Sequence, residues 1–143
     1  MPQIAITREV DASAAEVWAV LADFADVSWI PVAGRVDIAG EGIGMSRSIH
    51  GSGEKPVVET LTRLDPERRE LGYRIADNPL PVSRFEALVS VGRGPGSGSE
   101  VTWKVDYEPS GSTDADAHAA RQAIEAVYGM MAGWLADAAA TRS

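Results

Sequence analysis

The 143-residue chain contains no cysteine. Disulfides, thiolate nucleophiles and cysteine-ligated zinc are therefore excluded. Histidine is nearly as scarce. His50 and His118 are the only two, and neither has a second histidine at ligand spacing, so no metal site is expected. His50 ends a strand and His118 opens a polar helical turn, which points both toward solvent. Positive charge is short as well. Thirteen Lys and Arg face 21 Asp and Glu, a net charge of -8. A nucleic-acid binder needs cations to replace phosphate counterions, and this balance has the wrong sign.

Long apolar runs are missing too. The longest uncharged stretch of the last helical segment runs from Ala126 to Ala136, well short of the roughly 20 apolar residues that span a bilayer. Met1-Pro2-Gln3-Ile4 lacks the basic and apolar regions of a signal peptide, so the cytoplasm is the expected location. No Gly-x-Ser-x-Gly elbow and no phosphate loop occur. Gly40-Glu41-Gly42-Ile43-Gly44 precedes a strand pattern rather than a helix, which makes it a hairpin turn and not a dinucleotide fingerprint.

What is present is an ordinary apolar content of 45% on a chain long enough to bury roughly 68–70% of its extended surface. One domain covering residues 1–143 is expected. Gln3 to Glu9 reads as a strand. Ser13-Ala14-Ala15-Glu16 forms a capping box for a short helix carrying Val17, Trp18, Val20, Leu21 and Phe24. A second short helix or turn is predicted over Ala25 to Trp29, before Pro31.

Three strand pairs follow. They are Arg35–Ala39 with Met45–His50, Val57–Leu64 with Glu70–Ile75, and Val82–Val91 with Glu100–Tyr107. Val101, Trp103, Val105 and Tyr107 alternate strictly with polar residues, the clearest strand signal in the chain. About Asp114 to Ala139 reads as one long helix, capped by Thr113 or Ser112, with Asp114 and Asp116 in its first turn. Its apolar stripe is Ala120, Ile124, Val127, Tyr128, Met131 and Leu135. Gly129 and Gly133 interrupt it at a propensity cost of roughly 1 kcal/mol each. Close packing against the N-terminal helices is the expected reason for Gly133.

Segregated strands and helices define an α+β domain. A curved antiparallel sheet of six or seven strands should wrap around the long C-terminal helix. A helix about 10–12 Å wide cannot fill such a concavity, so a cavity between helix and sheet is expected.

The ordered residues resemble a known superfamily. Ile6-Thr7-Arg8-Glu9-Val10, Ala15-Glu16-Val17-Trp18, Asp23-Phe24-Ala25, Trp29-Ile30-Pro31 and Gly44 to Arg47 carry the resemblance. So do Glu59-Thr60-Leu61, Leu64-Asp65-Pro66-Glu67-Arg68-Arg69, Leu71-Gly72-Tyr73, Pro81-Val82-Ser83 and Val101-Thr102-Trp103. Together with the terminal helix they are similar to the START-like, or SRPBCC, helix-grip superfamily, and within it to bacterial polyketide cyclase/dehydrase-type members. The birch-pollen-allergen family shares that fold. The resemblance implies a START-like ligand-binding domain with two short helices after the first strand.

Glu59 to Ala87 also looks like the plant abscisic-acid receptors. That likeness implies a gate at Gly51–Pro56, a latch at Asp77–Pro81, and pocket positions at Glu59, Tyr73, Ile75, Phe85 and Ala87. Pro31 stands where those receptors carry the lysine that binds the hormone carboxylate, so hormone recognition is not implied.

Glu59 shares its strand face with Val57 and Leu61. It is the candidate for a ligand-orienting carboxylate or a general base, and equally for a structural pair with Arg47, whose parity matches Ile49. Tyr73, Phe85, Trp103, Tyr107 and Tyr128 can line a pocket or simply pack the core. Trp29 lies near the expected mouth. Ile124 and Met131 face inward from the long helix, and Ile49, Val57, Leu61, Ile75 and Ala87 from the sheet.

Three functional readings follow. The first is binding, transport or sensing of a hydrophobic or aromatic small molecule, with no cofactor, no nucleic-acid partner and homodimerisation left open. The second is a polyketide cyclase or dehydratase in which Glu59 or a tyrosine moves a proton. The third is a protein-interaction or chaperone-like module, which a filled interior and an exposed apolar patch would indicate.

Overall fold

In the computed structural model, which describes residues 3–31, 34–51, 56–76 and 80–142, the period-two segments form one antiparallel sheet. The strands are β1 (Gln3–Val10), β2 (Val36–Ala39), β3 (Ser46–Ile49), β4 (Val57–Asp65), β5 (Glu70–Ala76), β6 (Val82–Arg93) and β7 (Ser99–Pro109). Their order is β1-β7-β6-β5-β4-β3-β2. Strands β2 to β7 meander from neighbour to neighbour, and β1 closes onto β7, which leaves β1 and β2 as the two edges. Two helices complete the α+β helix-grip architecture: α1 (Ala14–Ala22) and the long α2 (Asp114–Arg142).

Both helices start on side-chain caps. The Ser13 hydroxyl accepts from the Glu16 amide (3.2 Å) and donates to the Glu16 carboxylate (3.0 Å). Thr113 Oγ1 accepts from the Asp116 amide (3.1 Å), and Asp116 Oδ2 accepts in return from the Thr113 amide (3.1 Å) and hydroxyl (2.7 Å). Those two hydrogen bonds hold the Asp116 carboxyl below its ordinary pKa.

The segment after α1 is two consecutive turns, closed by Asp26 N–H to Asp23 O and Ile30 N–H to Val27 O, instead of a second helix. Asp26 Oδ1 accepts from the Ser28 amide at 2.9 Å. This local bond offers the backbone an alternative to the helical ladder, and Pro31 bars continuation.

Register decides which face each side chain takes. Leu61 pairs with Tyr73, but Arg63 pairs with Gly72, so Thr62 is an extra residue and β4 carries a bulge. Without it, alternation would turn Leu64 outward. With it, Leu64 pairs with Leu71 and stays on the side of Leu61. Two outward residues, Thr62 and Arg63, then crowd Gly72. A Cβ on Gly72 would lie 2.8 Å from Thr62 Oγ1 and 3.2 Å from Arg63 Cβ, so any larger residue there must push those side chains aside.

Helix α2 lies against β1, β7 and α1. Its inner stripe of Ala120, Ile124, Tyr128, Ala132, Leu135 and Ala139 is buried against Val17 of α1 and the inward row of β7, Val101, Trp103, Val105 and Tyr107. Gly129 and Gly133 face the other way. Both are exposed, and a Cβ on either would meet nothing within 4 Å. Close packing therefore does not explain Gly133, contrary to the expectation from spacing: the residue falls outside the stripe that packs. His118 is exposed, as expected. His50 is half-buried at the sheet edge, where it bonds Asp37 Oδ2 at 3.0 Å beside Arg35. The His50 bond, aided by the Arg35 charge, lowers the Asp37 pKa.

Candidate ligand-binding site

The concave face of β3 to β7 places the site residues in adjacent rows. Arg47 of β3 lies opposite Glu59 of β4, and Glu59 opposite Ile75 of β5. In the next rows Leu61 faces Tyr73, Tyr73 faces Ala87, and Phe85 faces Tyr107. Ile49 and Val57 form a half-buried pair at the open end.

Arg47 and Glu59 are 5% and 6% exposed, two of the three buried polar residues among those described. Glu59 Oε1 accepts from Arg47 Nε (2.8 Å) and Nη2 (2.6 Å). Arg47 Nη1 donates to Phe24 O (2.9 Å), and the guanidinium lies 3.9 Å from the centre of the Phe24 ring. The cation is thus satisfied in its plane and over its face, which a buried charge requires. The turn after α1 supplies the backbone acceptor, so this contact ties β3 to the α1 end of the fold.

Beside the ion pair, Tyr73 of β5 and Tyr128 of α2 join hydroxyls across the interior at 2.5 Å. Burial pushes both phenols well above the ordinary tyrosine range, and the Glu59 carboxylate adds to the rise. Both are therefore neutral donors at physiological pH and cannot serve as bases there. Tyr128 also stacks on Trp103 (ring centres 4.9 Å) and on Phe85 (6.4 Å).

These rings fill the space expected to be hollow. The void lined by Leu21, Phe24, Trp29, Arg47, Leu71, Tyr73, Val89, Trp103 and Met131 has a volume of about 20 Å³, room for one water. Among the described residues, large aromatic side chains from both layers occupy the space that helix width alone would leave open. Five expected residues border the void: Trp29, Arg47, Tyr73, Trp103 and Met131. Glu59, Leu61, Phe85, Ala87, Tyr107, Ile124 and Tyr128 are buried around it, and Ile49, Val57 and Ile75 are half-buried.

Leu21, Phe24, Leu71 and Val89 also line the void and were not singled out from sequence. The inward parity of Leu71 with Tyr73, and of Val89 with Ala87, is a signal that could have found two of them. The gate and latch positions fall largely on residues 52–55 and 77–79, outside the described residues.

Among the described residues no group of three or more metal-ligating side chains converges, and no helix is long and apolar enough to cross a membrane. The exposed large apolar side chains, Ile38, Ile43, Leu64 and Met130, lie on β2, its turn, β4 and α2. No single element carries more than one of them.

The curved sheet gripping one long helix, with a polar cluster sealed between them, defines a helix-grip protein. The chain belongs to the family described as polyketide cyclase / dehydrase and lipid transport, whose model matches residues 1–140. The fold recurs in an uncharacterised protein of Bacillus thuringiensis, 21% identical, with a TM-score of 0.80 over 96% of this chain and 98% of the other. It recurs in norcoclaurine synthase of Thalictrum flavum in complex with dopamine and hydroxybenzaldehyde, 17% identical, TM-score 0.76, over 99% and 88% of the two chains. Ara h 8.0201 is similar as well, at 11% identity and TM-score 0.76, over 98% of each chain. No curated protein matches the sequence.

Proposed function

We propose that the protein binds a hydrophobic or aromatic small molecule between sheet and α2, and that the arrangement described is the closed, self-filled form of that site. The observation that carries this reading is the polar quartet Arg47, Glu59, Tyr73 and Tyr128, buried on the inward face of an otherwise apolar interior. Apolar residues of equal volume would hold the fold as well or better than a buried ion pair. Such groups suit the polar end of a ligand whose apolar body takes the place of stacked rings. The void beside Arg47 and Tyr73 is the point from which such a site would open.

Burial holds both phenols protonated, so neither tyrosine supplies the base of the cyclase reading, and the Glu59 carboxylate is engaged by Arg47 at 2.8 and 2.6 Å. The phenols can donate to a carbonyl or hydroxyl of the ligand but not abstract a proton. The family and the fold are consistent with either activity.

Native mass spectrometry of the freshly purified protein tests the proposal. A bound small molecule is expected, with weakened retention in Glu59→Gln and in Tyr73→Phe. A mass equal to the bare chain, together with no response of the tryptophan fluorescence to an anilinonaphthalene sulfonate probe, would refute it. Conversion of a polyketone, abolished in Glu59→Gln, would establish the cyclase reading instead.

A further inference from the structure

The buried quartet leaves two hydrogen-bonding functions unused. Glu59 takes both of its contacts on one oxygen, since Arg47 Nε and Nη2 both reach Oε1, at 2.8 and 2.6 Å. Among the described residues no donor reaches Oε2. The two phenols carry two protons, because burial keeps both neutral at physiological pH. Their mutual bond uses one of them. Whichever hydroxyl accepts in that bond keeps its own proton, and among the described residues no acceptor takes it. Glu59, Tyr73 and Tyr128 are only 6%, 5% and 2% exposed. Polar groups buried to this degree are ordinarily paired, and an unmatched donor or acceptor costs stability. The spare functions belong to neighbours. Glu59 pairs with Ile75 and Leu61 with Tyr73, so Glu59 and Tyr73 stand one diagonal step apart on the same inward face. Arg47, which holds Glu59, borders the same void as Tyr73. The carboxylate is close enough to both phenols to raise their pKa values.

We propose that the interior site selects neutral ligands that carry a hydroxyl on an apolar body, the hydroxyl donating to Glu59 Oε2 and accepting from the Tyr73–Tyr128 pair. This rests on the binding reading above and names the polar group that the ligand must offer. A ketone or an ether accepts from the phenol but leaves Oε2 unmatched. An ammonium group donates to Oε2 but has no lone pair for the phenol proton. An ionised carboxylate has no proton for Oε2 and brings a second anion. Arg47 cannot neutralise that anion, because its guanidinium is already bonded to Glu59 and to Phe24 O. A hydroxyl carries one proton and free lone pairs, so it answers both functions at once.

The test titrates the intact chain near pH 7 with three probes that share one flat apolar body: 2-naphthol, 2-methoxynaphthalene and 2-naphthoate. Calorimetry reads the affinity, and NMR of the indole N–H of Trp103, which borders the void, locates the probe. 2-Naphthol is expected to bind at least roughly tenfold more tightly than either of the others, with the Trp103 resonance shifted. Glu59→Gln keeps a carbonyl for Arg47 and puts an amide donor in place of Oε2, so it should erase the preference for naphthol over methoxynaphthalene. Tyr73→Phe/Tyr128→Phe keeps ring volume and removes the phenol donor. It should weaken both of those probes and leave their order unchanged. Equal affinity of the three probes at the Trp103 site would overturn the hydroxyl proposal and leave the binding reading standing. So would tighter binding of naphthoate, or a preference for naphthol that survives in Glu59→Gln. No binding of any probe, or binding that leaves Trp103 unmoved, would overturn the binding reading and the hydroxyl proposal together.

Discussion

Alkaline pH should loosen this fold through Tyr73 and Tyr128. Both phenols are fully enclosed, joined to each other and close to the Glu59 carboxylate, so ionising either would place an anion in an apolar, negatively biased interior. Their folded pKa values lie above the ordinary value of 10.0. Below that pH the folded and unfolded chains hold the same two protons, and the stabilisation is complete. Above it the unfolded chain releases them while the folded chain keeps them, and stability falls until the folded values are reached. Each retained proton contributes about 1.36 kcal/mol per pH unit. The pair should therefore impose a limiting slope of about 2.7 kcal/mol per pH unit above pH 10.

Urea unfolding at successive pH values, for the native chain and for Tyr73→Phe/Tyr128→Phe, isolates this term, because every other alkaline titration is common to both. The double variant keeps ring volume and removes both hydroxyls together, so near pH 7 its stability should change little. A native slope equal to that of the variant, or phenolate absorbance that appears at the ordinary tyrosine pKa in the folded native chain and is missing from the double variant, would refute the enclosure of the pair.

The other expected outcomes concern the ion pair and the glycines. Removing one partner, as in Glu59→Leu, leaves the Arg47 charge buried and should cost about 3–5 kcal/mol in chemical denaturation, whereas Arg47→Met/Glu59→Leu should recover most of that loss. Ala at Gly129 and Gly133 meets open space and should raise stability by about 1 kcal/mol per site, seen as a higher urea midpoint at constant slope. Ala at Gly72 should do the reverse, by about 1–3 kcal/mol, because its Cβ collides with Thr62 and Arg63 over the β4 bulge. Thr62→Gly in that background should restore part of the loss by removing the nearer clash.

The proposed interior binding would carry a cost of opening. A ligand must displace the contacts of Tyr128 with Trp103 and Phe85, so its affinity is reduced by the work of opening. That cost favours ligands with a flat apolar body, which can restore the stacking they disrupt. Arg47 is also coupled to the turn after α1 through Phe24. A ligand that draws Glu59 away from Arg47 would be felt at that turn.

The one-dimensional pattern was enough for the seven strands, the two helices and most of their faces. Period-two alternation in Val101–Tyr107, the Ser13/Glu16 box and the Thr113 cap are local signals, written by steric and hydrogen-bond rules that act within a few residues. The parity of Arg47, Glu59 and Tyr73 brought them to the same side of the sheet for the same reason. Local rules did not extend to volume. Whether the concavity is hollow depends on how far Tyr128, Trp103 and Phe85 reach across from separate elements, and only three-dimensional packing decides that. The bulge at Thr62 likewise depends on the partner strand, since an extra residue in β4 is defined only against the register of β5. Trp29 and Trp134 line one open cleft although they stand over a hundred positions apart, and no spacing rule connects them. They meet because α2 runs back across α1, a consequence of burying its other face.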